Sequence, residues 1–367
     1  MTKLQQLLSD AITDGTFPGA AYFVRRNGII EEGYIGRQTY CPDSKPVDKH
    51  TLWDLASVSK VVSTTTLTML AVQNSKLDLD WPVAKIIPEF GVNDKQGITF
   101  RNLMVHNSGL IAFRAYYKTC RTREEVLRQI FDEKLTYFTG SKTIYSDLSM
   151  ILMDEALNRV LGGSLDQLFR KRIAEPLGLH QTGYFTLGVP TMIGPTDRQN
   201  CAPTERTEDW RKTMRRLRHG DLGSIKLYGN DPEFIQAEVH DPTATAMGGV
   251  AGHAGLFATL KDLARFTENY CAAKPLVINS SLRTDFTKRQ ASTSTRALGW
   301  DTKSETGSSA GTKLGPTTYG HTGYTGTSIW IDPVTGNFGL LLTNRVHPTS
   351  DNVKLLGFRG RFYDAAF

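Results

Sequence analysis

No stretch of the 367 residues approaches the roughly 18 to 20 uninterrupted apolar positions that a membrane-spanning helix needs. The N-terminus, MTKLQQLLSDAITDGTFPGAA, lacks the continuous apolar core of a secretory signal; its Leu and Ile recur at helical spacing, the pattern of a surface helix. On those terms the chain is expected in the cytoplasm, without a membrane partner. Cysteine is scarce. Cys41, Cys120, Cys201 and Cys271 lie far apart and form no C-x-x-C, so they read as small buried hydrophobes or free thiols in a reducing compartment. The eight histidines form no H-E-x-x-H and no Cys/His cluster at zinc spacing, which argues against a metal enzyme. Neither G-x-G-x-x-G nor G-x-x-x-x-G-K-[ST] occurs, so nucleotide binding has no support and no cofactor is expected. Runs of one charge sign are missing except at 210–219 (WRKTMRRLRH), which holds much of the net charge of +6. That segment reads either as a solvated helix face or as an electrostatic collar attracting anionic substrates such as carboxylate-bearing peptides. Without interleaved aromatics it is a poor nucleic-acid binder.

With 40% hydrophobic and 22% charged residues the composition is ordinarily globular, and the length suits one large domain or two subdomains. Residues 3–14 read as a helix. AAYFVRRNGIIEEGYIG (20–36) follows as two β runs joined at Arg26-Asn27-Gly28, a hairpin signal. Helical patterns cover 58–79, 123–135, 146–162 and 164–178. Glycine and proline punctuate 241–255, and the chain then returns to strands at RALGWDT (296–302), TSIWIDP (327–333) and FGLLLTN (338–344). A last helix is expected from about Asn352 to Asp364. The expected fold class is therefore α/β. Residues 1–70 and 240–367 would build an antiparallel sheet from both termini, flanked by helices; 71–239 would form a mostly helical lobe, with the active site between them.

Ser57-Val58-Ser59-Lys60 is an S-x-x-K. If Ser57 opens a helix, Lys60 lies one turn on and on the same face, an amine beside a hydroxyl. Burial would lower the lysine pKa and let it take the serine proton, while the helix N-terminus offers a free N–H to developing negative charge. Ser59, one residue from Lys60, points elsewhere. Two further elements follow in order. Tyr145-Ser146-Asp147 stands before a helix as a Y-x-[N/D], and His321-Thr322-Gly323 precedes TSIWIDP as a K/H-T-G box, whose glycine would let a substrate lie against the strand edge.

With these three elements the chain resembles the serine β-lactamase superfamily in its class C-like branch, together with D-alanyl-D-alanine peptidases and family VIII carboxylesterases. The resemblance extends through 77–90 (LDLDWPVAKIIPEF), 98–110 (ITFRNLMVHNSGL), 173–185 (IAEPLGLHQTGYF), 248–266 (GGVAGHAGLFATLKDLARF) and 321–333 (HTGYTGTSIWIDP). LLTNRVHP (341–348) and EVHDPTA (238–244) resemble a bacterial subgroup of cell-wall amidases and peptidases. The resemblance implies an acyl-enzyme on Ser57, activation by neutral Lys60, and Tyr145 as phenolate or proton relay to the leaving group. It also implies an oxyanion hole made by the N–H groups of Ser57 and Tyr324. Asp147, His321, Thr322, Gly323 and His253 would contact substrate, although His253 reads equally as a turn histidine bonded to backbone.

Two departures move the expected substrate away from β-lactams. His321 stands where most β-lactamases carry lysine, so much of the positive charge is missing at neutral pH. Asp147 replaces the commoner Asn; it only accepts hydrogen bonds when ionised, and pairing with Lys60 would raise the lysine pKa and oppose its role as base. A competing G-x-S-x-G at 307–311 lacks the strand before it and the helix after it that a nucleophile elbow requires. The expected activity is a serine hydrolase acting through acyl-Ser57 on small esters or amides, esterase-like, with room for weak β-lactam turnover. The alternatives are a D-Ala-D-Ala peptidase or muropeptide amidase, and an inert penicillin- or peptide-binding module. The expected partner is a small ester, amide or β-lactam, not nucleic acid.

Overall fold

The computed structural model describes residues 2–187, 189–206 and 234–367; the basic run at 210–219 lies outside them. The first helix, α1 (Lys3–Thr13), starts at a capping box in which Thr2 and Gln5 satisfy each other's backbone N–H groups. The hairpin follows as β1 (Gly19–Arg26) and β2 (Ile29–Gly36), turning at Asn27 and Gly28, which both have positive φ as a type I′ turn demands. Along β1 the side chains alternate between two cores. Ala21 and Phe23 join the large core shared with the helical part, whereas Ala20, Tyr22 and Val24 pack under the terminal helices. Burial on both faces explains why this strand reads as a nearly continuous apolar run.

The remaining strands fall into two sheets. β3 (Trp53–Asp54), β4 (Thr182–Thr186), β5 (Val189–Pro190) and β6 (Leu256–Ala258) make a small one in the order β3-β6-β4-β5. β7 (Asp301–Thr302), β8 (Tyr319–Thr322), β9 (Ser328–Ile331) and β10 (Phe338–Thr343) complete the large one in the order β2-β1-β10-β9-β8-β7, antiparallel throughout. Both ends of the chain thus meet in one sheet at the β1–β10 pair, where Phe23 faces Leu340. Of the expected strand at 296–302 only Asp301–Thr302 joins the large sheet, because the chain turns back at Gly299, burying Trp300 and bridging Arg296 to Asp301.

Five further helices frame the site: α2 (Thr66–Gln73), α3 (Arg123–Asp132), α4 (Asp147–Leu161), α5 (Leu260–Cys271) and α6 (Lys354–Ala366). α1 and α6 cover one face of the large sheet through Leu4, Leu8, Phe358 and Phe362. α4 is buried along most of its length, and its Asp154 is neutralised by Arg123 from α3 at 2.7 Å. β4 and β5 lie inside the 71–239 interval yet pair, through β4, with β6 from beyond it. No helix among the described residues is long and apolar enough to cross a membrane.

Candidate active site

β3 leads into the site. Its buried Asp54 accepts the Ala56 N–H at 2.8 Å and the His240 N–H at 2.7 Å, and so holds Ala56 at a positive φ of 45°. Such a conformation in a non-glycine residue is strained and persists only where its surroundings dictate it. The turn presents Ser57 half-buried at the start of a helix whose next stretch, Lys60–Thr65, is π-helical, a distortion common at functional sites. Lys60 is fully buried and its Nζ donates to Ser57 Oγ at 2.9 Å, as the i+3 spacing requires. Ser59 is turned away and accepts the Leu256 N–H.

Three acceptors converge on Lys60 Nζ: Ser57 Oγ, the His253 carbonyl at 2.9 Å and Asp147 Oδ1 at 2.8 Å. Burial alone would push the ammonium down, but the Asp147 carboxylate and then Tyr145 outweigh it and hold Lys60 above its ordinary range. The neutral amine expected from the resemblance is therefore not the resting form. Asp147, at the first position of α4, keeps its partner charged.

Tyr145 is set by a residue that pattern reading passed over. His106 accepts the Ile144 N–H on its carbonyl and the Ser146 N–H on Nδ1, gripping the chain on both sides of the tyrosine. Its ring lies 4.8 Å from the Tyr145 ring, with the His321 ring 5.8 Å away. Both histidines are pushed well below their ordinary range, first by burial and then by the positive charge of Arg296 and Lys60. Both are neutral, and their tautomers follow from their partners. His106 Nδ1 accepts, so Nε2 carries its proton; His321 Nδ1 donates to the Thr322 carbonyl at 2.9 Å, so its Nε2 is an open acceptor. His106 Nε2, His321 Nε2 and Tyr145 Oη are buried and make no well-directed hydrogen bond to the described residues. The guanidinium of Arg296 stands 4.7 Å from the Tyr145 ring centre.

The third element sits at the end of β8, beside Ser57. A side chain on Gly323 would put its Cβ 2.5 Å from the Leu55 carbonyl and 2.1 Å from Thr327 Oγ1. The glycine is needed so that the strand end can reach the Ser57 turn, a cause separate from the expected approach of a substrate. Thr325 and Thr327 fasten the same contact by donating to the carbonyls of Asp54 and Leu55. Gly323→Ala is accordingly expected to lower kcat/KM about tenfold, since sub-ångström displacement of a reacting group is enough for that; steady-state kinetics on any turned-over ester checks it. Tyr324, next in line, is exposed and stacks between His240 and Arg345, and Arg345 Nε donates to its carbonyl. Neither the Ser57 N–H nor the Tyr324 N–H donates to an acceptor among the described residues. Thr322 is half-buried, its carbonyl occupied by His321.

His253 contributes its carbonyl, not its ring, to Lys60; the ring is buried and Nε2 meets Asp241 at 2.9 Å. Burial alone would raise the Asp241 carboxyl, but His253 and the Ala244 N–H hold it down at about 2. Ser309, centre of the competing G-x-S-x-G, lies in a turn between β7 and β8 with neither a strand before it nor a helix after it. Ala310, its neighbour, packs under α1 and α6, across the large sheet from the main core. The structure thus brings Ser57, Lys60, Tyr145, Asp147 and His321 together and leaves Ser309 apart.

The Beta-lactamase family model matches residues 4–360. The chain is 29% identical to the N-acetylmuramyl-L-alanine amidase of Bacillus subtilis (strain 168), across 95% of this chain and 81% of that protein. Among solved structures it superposes on EstCE1, a hydrolase with promiscuous acyltransferase activity, with a TM-score of 0.73 and 22% identity over 98% of this chain and 97% of that one. A class C beta-lactamase superposes with a TM-score of 0.69 and 19% identity over 97% and 94% of the two chains.

Proposed function

The chain belongs to the beta-lactamase family, a family of hydrolases, and we propose that it acts on small esters and amides through an acyl-Ser57 intermediate. The observation that carries this reading is the 2.9 Å contact between Lys60 Nζ and Ser57 Oγ, beside two backbone N–H groups that have no acceptor among the described residues. In its deprotonated form Lys60 takes the Oγ proton as Oγ attacks the substrate carbonyl carbon. The negative charge that gathers on the carbonyl oxygen is received by the N–H groups of Ser57 and Tyr324. Tyr145 Oη gives its proton to the leaving oxygen or nitrogen as that bond breaks, and recovers a proton from Lys60. Water then attacks the acyl carbon with the proton moving by the reverse route, releasing the acid and restoring Ser57.

Esters come first because neutral His321 offers no fixed charge to a β-lactam carboxylate. Likeness to the Bacillus subtilis amidase favours a second reading, amide hydrolysis on muropeptide fragments. A turnover panel of p-nitrophenyl esters, nitrocefin, D-Ala-D-Ala peptides and muramyl-L-alanine peptides tests the order. Ester turnover above nitrocefin turnover is expected; amide turnover with inert esters would transfer the reading to the amidase. No turnover of any member would make the chain a binding module.

A further inference from the structure

Where β8 begins, a cavity of about 490 Å³ opens, and none of Ser57, Lys60, Tyr145, Asp147 and His321 lines it. Small-molecule sites usually measure about 300 to 1,000 Å³. Its buried wall includes Tyr319 and Ile331, cross-strand partners on β8 and β9 whose side chains share one face of the large sheet. Val334, in the turn after β9, lines the rim and is 80% exposed. The wall is also basic. Arg283 and Arg289, both half-buried, line it with Lys288, against a single carboxylate, Asp332. That carboxylate is already spent: Oδ1 accepts the Val334 N–H at 3.0 Å and Oδ2 the Thr335 hydroxyl at 2.9 Å. Arg283 gives Nη1 to the carbonyls of Tyr270 and Ala272, so its Nε and Nη2 have no acceptor among the described residues. Arg289 gives Nε to Thr302 Oγ1 and Nη2 to the Lys303 carbonyl, and keeps Nη1. The Tyr319 hydroxyl has no partner among the described residues either; burial pushes its pKa well above the ordinary range, so it is a neutral donor. The wall thus offers donors and positive charge to an acceptor group, and apolar surface to the body that carries it.

We propose that this cavity is a second binding site, for a small organic anion with an apolar body. The anionic group meets Arg283, Arg289 and the Tyr319 hydroxyl, and the body lies along Ile331 and Val334. Charge-assisted bonds to guanidinium groups are the strong ones, and these two arginines face no unspent carboxylate. A neutral apolar ligand would cover half-buried donors without pairing them, which costs affinity. An inorganic ion would leave the apolar wall unused. The proposal does not rest on the acyl-Ser57 reading and stands whichever substrate is turned over.

The probe is 8-anilinonaphthalene-1-sulfonate, an aromatic sulfonate that fluoresces on entering an apolar site, titrated into the folded chain. Saturable binding is expected. N-phenyl-1-naphthylamine, the same body without the sulfonate, should bind about tenfold more weakly, the worth of one well-placed charge contact. Arg289→Gln should bring the two probes close to equal affinity by weakening the anion. Val334→Asp sets a negative charge on an exposed rim position that the core does not use, and should weaken the sulfonate about tenfold with an unchanged circular dichroism spectrum. Its turnover of p-nitrophenyl acetate should stay within about a factor of two of wild type, since the site lies apart from Ser57. Decanoate should displace the probe, and inorganic phosphate at the same concentration should not. Absence of saturable binding, sulfonate affinity that neither variant weakens, or equal affinity of the wild type for both probes overturns the proposal. So does displacement by phosphate as strong as by decanoate. Should Arg289→Gln not fold, Val334→Asp and the two-probe comparison decide. These binding measurements hold in a chain that turns over no ester, so failure of this proposal and failure of the acyl-Ser57 reading are told apart.

Discussion

Ser57→Ala is expected to lower kcat on any substrate by about 10⁴ or more, the loss seen when a nucleophile is removed from a covalent mechanism. Ser59, the nearest serine in sequence, is not expected to stand in. Ser59 Oγ, two residues on, is committed to the Leu256 N–H, and its neighbour relation to Lys60 turns it from the amine. The residual activity should match what the two backbone N–H groups and substrate binding provide alone, so KM should change far less than kcat. The mutation leaves Lys60 two acceptors, the His253 carbonyl and Asp147, so the fold should survive and circular dichroism should be unchanged. Ser309→Ala provides the contrast: it alters a turn across the sheet and should leave kcat within a factor of two. Matched kinetics of the two variants check both statements, and an active Ser57→Ala enzyme would remove the nucleophile from the account.

Asp147→Asn should change both activity and stability, in directions set by Lys60. In the wild type the raised Lys60 pKa means that the amine form needed for catalysis grows with pH, so kcat/KM should climb through the alkaline range. Removing the carboxylate leaves burial as the largest influence on Lys60, which pushes the pKa down. The alkaline limb should therefore move to lower pH by a unit or more, about tenfold in rate at a fixed pH on that limb. Stability moves with the same sign. The wild-type ion pair contributes below the unfolded lysine pKa of about 10.4, and that contribution is lost as pH rises through the still higher folded value. In the variant the folded value lies below the unfolded one, so the unfolded chain binds more protons and stability rises with pH. Since Lys60 is 0% exposed and Asp147 22% exposed, breaking the pair should cost on the order of 3 kcal/mol at neutral pH. Urea unfolding at pH 7 and pH 9 checks the sign. A wild-type rate that stays flat from neutral to alkaline pH would exclude Lys60 as the base.

Much of this was legible where signals are local. Asn27-Gly28 announces a type I′ turn because few other pairs accept two positive φ angles, and the spacing of Ser57 and Lys60 has a single helical consequence. Asp147 in place of Asn marks a threat to a neutral lysine in the sequence itself, and its 2.8 Å contact with Lys60 is the physical form of it. The small sheet was not legible. β3 and β6 hold two and three residues, too few for alternation to register, and their pairing spans about two hundred positions. His106 and Arg296 were missed for a related reason. His106 holds the chain on both sides of Tyr145 and Arg296 stands over its ring, contacts that only the folded chain creates, and neither has a partner at a telling interval. At Gly323 the position was legible but the close approach of the Leu55–Ala56 backbone was not, because only the folded chain brings them together.

The claim on which the rest depends is a covalent acyl bond at Ser57. Acid quenching of the enzyme during turnover of p-nitrophenyl acetate, followed by proteolysis and fragment-ion mass spectrometry, reads that bond directly. The account predicts an acetyl adduct on Ser57, absent from Ser57→Ala and enriched in Tyr145→Phe, where water is less well activated. An adduct on Ser59, on Ser309 or on no residue while turnover proceeds would contradict it.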